Sequence, residues 1–145
     1  MHFYGFRQIE ENPIFYALAD AFILPSSLEE WGLVVNEAMS CGLPVVVSEK
    51  AGCAEDLLRK GTPPEAAGGG IPGGAACPSG RIRQNGFTFD PKSVDSLTHA
   101  LLALDANPAL RQSMGQASRS IVADFCCDRF AQSALLAAQT AMGRA

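Results

Sequence analysis

The sequence predicts an α/β fold: a partial, parallel sheet flanked by helices and ending in a helical tail. Three observations carry this. Short apolar runs alternate with amphipathic segments through the first sixty residues, the order in which strands and crossover helices build parallel sheets. The run Leu43 to Val47 (LPVVV) is continuous and β-branched, as in a strand covered on both faces. From Ser93 onward the pattern is helical almost to the end.

The elements follow in order. Pro13 to Ala19 reads as a helix with Asn12 as its N-cap. Ala21 to Leu24 (AFIL) reads as a buried strand closed by the turn Pro25-Ser26-Ser27. Gly32 to Cys41 carries apolar residues at 34, 35, 38, 39 and 41, close to helical spacing. Gly42 then sits at its C-terminal stop. Pro44 belongs at the start of the next strand, where a missing N–H costs little. Cys53 to Leu58 makes a short helix. Residues 61–80 hold 7 of the 14 glycines and 4 of the 9 prolines, so they resist regular structure and read as a surface insertion reaching about residue 84. Its GGG run lacks the Gly-Lys-Ser/Thr ending of a phosphate-binding P-loop. Gly86 to Asp90 is one more strand, ended by Pro91. Three helices close the chain, over Ser93 to Asp105, Pro108 to Ala123 and roughly Cys127 to Met142. Ser93 with Ser96, and Asn107 before Pro108, start the first two. Val94, Leu97, Leu101, Leu102 and Leu104 supply the apolar face of the first.

Composition narrows the function. The 145 residues carry 11 basic and 15 acidic side chains, a net charge of -4. No basic stripe exists to neutralise nucleic-acid phosphates, so a nucleic-acid partner is not expected. With 48% hydrophobic residues and 18% charged, the chain can bury a core. No apolar run reaches membrane-spanning length, and the start lacks the layout of a signal peptide; a cytoplasmic location is expected. Five cysteines (Cys41, Cys53, Cys77, Cys126, Cys127) without a CxxC pair, and two histidines, give no zinc spacing. They read as small buried thiols in a reducing compartment, and no metal is expected.

The chemistry concentrates between Pro25 and Ala38 (PSSLEEWGLVVNEA). A strand ends, a loop carries two carboxylates, and a helix begins near Gly32. Helix N-termini offer unpaired N–H groups and partial positive charge, an anion site when set at the carboxyl edge of a parallel sheet. Gly32 permits close backbone approach. Glu29 lies in the loop and Glu37 about a turn and a half into the helix, and both can face one crevice. Carboxylates accept paired hydrogen bonds from vicinal hydroxyls, so one suits a ribose and the other a sugar. The plainer alternative makes Glu29 and Glu30 helix caps or solvated charges. Glu37 resists it, because its surroundings are largely apolar and a carboxylate there needs partners.

The run PSSLEEWGLVVNEAMSCGLPVVVSEKAGCAEDL resembles the signature of the family-4 retaining glycosyltransferases, the "glycosyl transferases group 1" of the GT-B fold. The shared pattern is a Pro-Ser turn, a Glu-x7-Glu pair (Glu29 and Glu37), a glycine after an aromatic residue (Trp31, Gly32), Glu-Ala-Met and a Cys-Gly-x-Pro-Val strand. Asn85 to Pro91 (NGFTFDP) and the closing helices resemble the family more weakly, and residues 61–84 not at all. The resemblance implies that residues 1–145 form part of a Rossmann-like nucleotide-sugar-binding domain, the C-terminal half of a donor domain, with the N-terminal acceptor domain absent. It implies a nucleotide-sugar donor, no other cofactor, and an acceptor of unknown identity. Glu37 would bind the ribose and Glu29 would act at the transferred sugar in the catalytic role. The amides of Trp31 and Gly32 would face the sugar, those of Leu33 and Val34 the diphosphate. His2 to Phe6 is similar to the family's Phe-x-Gly strand, which follows a phosphate-binding Arg/Lys pair; that pair is then outside this sequence. The chain alone is expected to be incomplete and inactive. Competing readings are a non-catalytic nucleotide-sugar-binding module, another GT-B enzyme such as an epimerase or phosphorylase, and an interaction domain that kept only the fold.

Overall fold

The structure, a computed structural model, describes residues 2–61 and 80–143; most of the glycine-rich insertion, residues 62–79, lies outside the described residues. Among the described residues four strands form one sheet: β1 (Phe22–Leu24), β2 (Val45–Ser48), β3 (Gly80–Arg83) and β4 (Gly86–Phe89), in the order β1-β2-β4-β3. β1, β2 and β4 are parallel, with Phe22 opposite Val45 and Val45 opposite Gly86. β2 lies inside the sheet and all four of its residues are buried.

Among the described residues there are six helices: α1 (Asn12–Leu18), α2 (Leu33–Ser40), α3 (Ala54–Leu57), α4 (Val94–Ala106), α5 (Pro108–Val122) and α6 (Cys127–Ala141), the last of which buries none of its residues. Side chains alternate across a strand, and β2 shows it. Val45 and Val47 enter one core with Val35, Met39, Cys53 and Leu57 from α2 and the α3 region. Val46 enters the other with Phe87, Phe89, Ala100, Leu104, Leu110 and Met114. The expected starts of α4 and α5 hold: Ser93 Oγ accepts from the Ser96 amide at 3.2 Å, and Asn107 Oδ1 from the Leu110 amide at 3.0 Å.

The end of α2 is clamped. Gly42 takes φ +82°, its amide donates to Met39 O at 2.9 Å, and that of Leu43 to Ala38 O at 3.1 Å, a Schellman stop. α5 lies directly on this stop. A Cβ on Gly115 would sit 2.1 Å from Gly42 O, Ser118 Oγ donates to Leu43 O at 2.7 Å, and Arg119 donates to Cys41 O at 3.0 Å.

Several expectations need correction. His2 to Phe6 forms no strand: an extended segment without a neighbouring ladder leaves its backbone to water, and this one is held by Tyr4 edge-on to Phe15, with ring centroids 5.3 Å apart, and by Arg7 Nε donating to Tyr4 O at 3.1 Å. Asn12 is not a cap but the first residue of α1, because a 3₁₀ turn over Ile9–Glu11 already carries the chain into helical geometry. Residues 80–83, expected within the insertion, form a strand. Gly80–Arg83 is an antiparallel edge strand hairpinned to β4, so the sheet is mixed; Arg-Ile-Arg holds no breaker, and Ile82 packs on the second core. In α4 the buried stripe is Ser96, Ala100, Ala103 and Leu104, while Val94 is 80% exposed and Leu101 and Leu102 also reach the surface. Cys41, Cys126 and Cys127 are exposed, and Cys53 alone of the described cysteines is buried.

Candidate functional site

The site lies where β1 and β2 end. From Leu24 the chain runs through the Pro25–Trp31 loop into α2, and its turning point is Gly32, at φ +88° and ψ 62°. A Cβ there would lie 2.9 Å from Leu24 Cδ2, 3.3 Å from Glu29 Cγ and 3.7 Å from Cys53 Sγ, so both the backbone conformation and the space select glycine. Val35 donates to Gly32 O at 2.9 Å. The amides of Leu33 and Val34, in the first turn of α2, precede any intrahelical acceptor and stand at its positive end. This end is open: Leu33 is 69% exposed and Val34 36%.

The loop is stitched to the turn after β2. Glu29 bridges to Ala51, Gly52 donates to Glu29 O at 2.9 Å, and Cys53 to Trp31 O at 3.3 Å. The approach at Gly52 is close enough that a Cβ would sit 1.9 Å from Glu30 O. Trp31 Nε1 donates to Asn36 Oδ1 at 3.2 Å, which ties the indole to the start of α2. Beneath the loop, burial pushes the Cys53 thiol up to about 11, helped by the charges of Glu29 and Asp56 and opposed by a backbone hydrogen bond.

Glu37 is half-buried in the second turn of α2. Its Oε2 accepts a 2.8 Å hydrogen bond from the hydroxyl of Tyr16 on α1. Tyr16 packs edge-on against Phe22, centroids 6.1 Å apart. Burial first, then the hydrogen bond to Glu37, the charge of Glu37 and that of Cys41, lift its phenol well above the ordinary 10.0. Thus Glu29, Gly32 and Cys53 gather on the loop side, Trp31, Leu33 and Val34 lie at the helix start, and Glu37 faces α1. Tyr16 escaped sequence reasoning: it sits 21 residues ahead of Glu37, inside a short apolar helix where a tyrosine reads as core. A groove of about 500 Å³ adjoins the helix start, lined by Trp31, Leu33 and Asn36 on one side and Phe125 and Phe130 on the other. Chemically, the site pairs free amide donors suited to an anion with two half-buried carboxylates suited to hydroxyls.

Comparison with known proteins bears on the family and the fold. The sequence model described as "Glycosyl transferases group 1" matches residues 1–121. The chain is 35% identical over 117 residues to a sulfoquinovosyl transferase, SQD2, of Arabidopsis thaliana, covering 81% of this chain and 19% of that protein. It is 30% identical over 117 residues to a GDP-mannose-dependent alpha-(1-6)-phosphatidylinositol monomannoside mannosyltransferase of Mycolicibacterium smegmatis, covering 76% of this chain and 25% of that protein. The chain therefore spans about a quarter or less of these curated relatives. In three dimensions it resembles sucrose-phosphate synthase from Thermosynechococcus elongatus, with a TM-score of 0.70 and 24% identity, over 99% of this chain and 31% of that one. That likeness shows the fold, the α/β architecture of GT-B glycosyltransferases. Among the described residues no helix is long and apolar enough to cross a membrane.

Proposed function

The chain belongs to the glycosyl transferases group 1 family, and from that premise we propose that it is the donor-binding part of a retaining, family-4-type glycosyltransferase. Its substrate is a nucleotide sugar, and the parent reaction moves the sugar to an acceptor hydroxyl. The observation that carries this reading is the open start of α2 at the carboxyl edge of the sheet, entered through Gly32 and flanked by two half-buried carboxylates. The amides of Leu33 and Val34 take the diphosphate. Glu37 accepts from the ribose hydroxyls, and Glu29, with the Trp31 and Gly32 amides, holds the sugar at the reacting carbon. The four free cysteines among the described residues suit a reducing, cytoplasmic setting.

In transfer, charge develops on the departing diphosphate, and fixed cationic donors lower that barrier. The family resemblance assigns those cations to an Arg/Lys pair that precedes the region matched here. Nucleotide binding by residues 1–145 is the property to test. We expect UDP or GDP at millimolar concentration to bind the chain and perturb Trp31 emission, and Glu37→Ala to weaken that binding about tenfold or more. Unchanged nucleotide affinity in Glu37→Ala refutes the ribose assignment.

A further inference from the structure

We propose that Tyr16 is a positioning residue for the donor: its hydroxyl holds the Glu37 carboxylate in the orientation that receives the ribose. This rests on the ribose reading of Glu37 and adds a residue to it. A glutamate in the second turn of a helix has three side-chain torsions, and a half-buried one gains by swinging its charge toward water. The Tyr16 hydroxyl opposes that swing with a 2.8 Å bond to Oε2, of the stronger kind because its acceptor is charged. Tyr16 is itself held from both sides, edge-on to Phe22 of β1 and against the α2 core, so it is a fixed donor. A carboxylate offers about four lone-pair sites. One phenol takes one, and Oε1 with the rest of Oε2 stays free for two vicinal hydroxyls. The contact also joins α1 to α2, so the first helix sets the geometry of a site made 21 residues later.

The test uses the full chain with Tyr16→Phe, Glu37→Gln and the double variant. The probes are GDP and UDP, each beside its 2′,3′-dideoxy form, with binding read by ligand-observed NMR. If Tyr16 acts through the carboxylate on the ribose, Tyr16→Phe weakens the ribonucleotides about tenfold and leaves the dideoxy forms unaffected. It then adds nothing in the Glu37→Gln background. A purely structural tyrosine would weaken both nucleotide forms alike and add to Glu37→Gln, and that result overturns the proposal. No loss in Tyr16→Phe, with a clear loss in Glu37→Gln, also overturns it while the ribose reading stands. No loss in Glu37→Gln, or no binding by the wild type, removes the ribose reading itself. Absorbance at 295 nm checks the bond without any ligand. Of the two tyrosines, one should titrate far above the ordinary range, and in Glu37→Gln it should move down; two ordinary phenols in the wild type overturn the bond.

Discussion

Replacing Gly52 by alanine strikes the seam that holds the Glu29 loop. Its φ is not positive, so alanine brings no left-handed strain and the perturbation is steric. The new Cβ would stand 1.9 Å from Glu30 O and 2.9 Å from Glu30 C. An ordinary C···O contact is about 3.3 Å, so the two backbones must part by roughly 1.4 Å. Neither partner is a flexible side-chain tip, so the movement falls on the seam. Its two hydrogen bonds, Gly52 to Glu29 O and Cys53 to Trp31 O, are worth about 1 kcal/mol each, and overpacking costs about 1–3 kcal/mol. Partial relaxation leaves an expected loss of about 2–4 kcal/mol, or roughly 5–15 °C in Tm for a chain of this size. The assay is urea unfolding followed by far-UV circular dichroism and by the emission of the single tryptophan, Trp31, which sits in the seam. Gly5→Ala is the contrasting case: nothing lies within 4 Å of its Cβ, but its φ is +69°, so it carries left-handed backbone strain of about 1–2 kcal/mol without a clash and leaves Trp31 emission unchanged. Gly52→Ala within about 0.5 kcal/mol of the wild type, with unchanged Trp31 emission, would show that loop and turn are not in this contact.

Two further outcomes follow from the same geometry. Burial lifts the folded Cys53 thiol from 9.0 to about 11, so the unfolded chain ionises first; stability from the neutral thiol is full below pH 9 and falls as pH rises from 9 toward 11. Tyr16, also raised, extends the fall to higher pH, and Cys53→Ala should flatten the 9–11 segment of a Tm-against-pH curve even if it lowers Tm throughout; an unchanged slope refutes it. α6 buries none of its residues, and Leu135 and Leu136 are 60% and 59% exposed, so the chain should self-associate in sedimentation velocity at tens of micromolar and Leu135→Glu with Leu136→Glu should reverse it; a monomer at all concentrations refutes it.

What could be read from the sequence is what rests on local chemistry. The helix starts at Ser93 and Asn107 were legible because a cap is made by the residue itself, and the Gly42 stop because the left-handed turn selects glycine. β2 was legible because burial on both faces forces a continuous apolar run. The misses share another cause. Whether His2 to Phe6 is a strand depends on a neighbour that no local pattern encodes. Of the expected α4 face, Leu97 and Leu104 pack on the second core, but Val94, Leu101 and Leu102 reach the surface and the small Ala100 and Ala103 are buried instead, because close packing on β4 rewards fit over size. At the site, Glu29, Gly32 and Glu37 share one strand-loop-helix segment that a sequence pattern can pick out, and Trp31 entered through the family resemblance. Tyr16 and Gly52 escaped both, because their partners lie 21 and 22 residues away along the chain.

The supports of the site divide by what they can hold. Tyr16, the Gly52 seam and the α5 clamp fix carboxylates and backbone, which recognise hydroxyls through neutral or acceptor chemistry. For phosphate the helix start offers two amides and a dipole, worth about 0.3–1 kcal/mol at an exposed end. If the ribose side dominates binding, adding a diphosphate to the nucleoside should tighten it by less than about tenfold. Salt should then matter little, since few fixed charges are screened. Guanosine against GDP, measured by ligand-observed NMR at 20 mM and 300 mM sodium chloride, decides the point. A gain above a hundredfold at low salt that collapses at high salt would place a cation of this chain on the phosphates. Arg129, which lines the groove beside Trp31 and Leu33, is the first residue to substitute in that case. Hydroxyl recognition and charge recognition would then both belong to this segment.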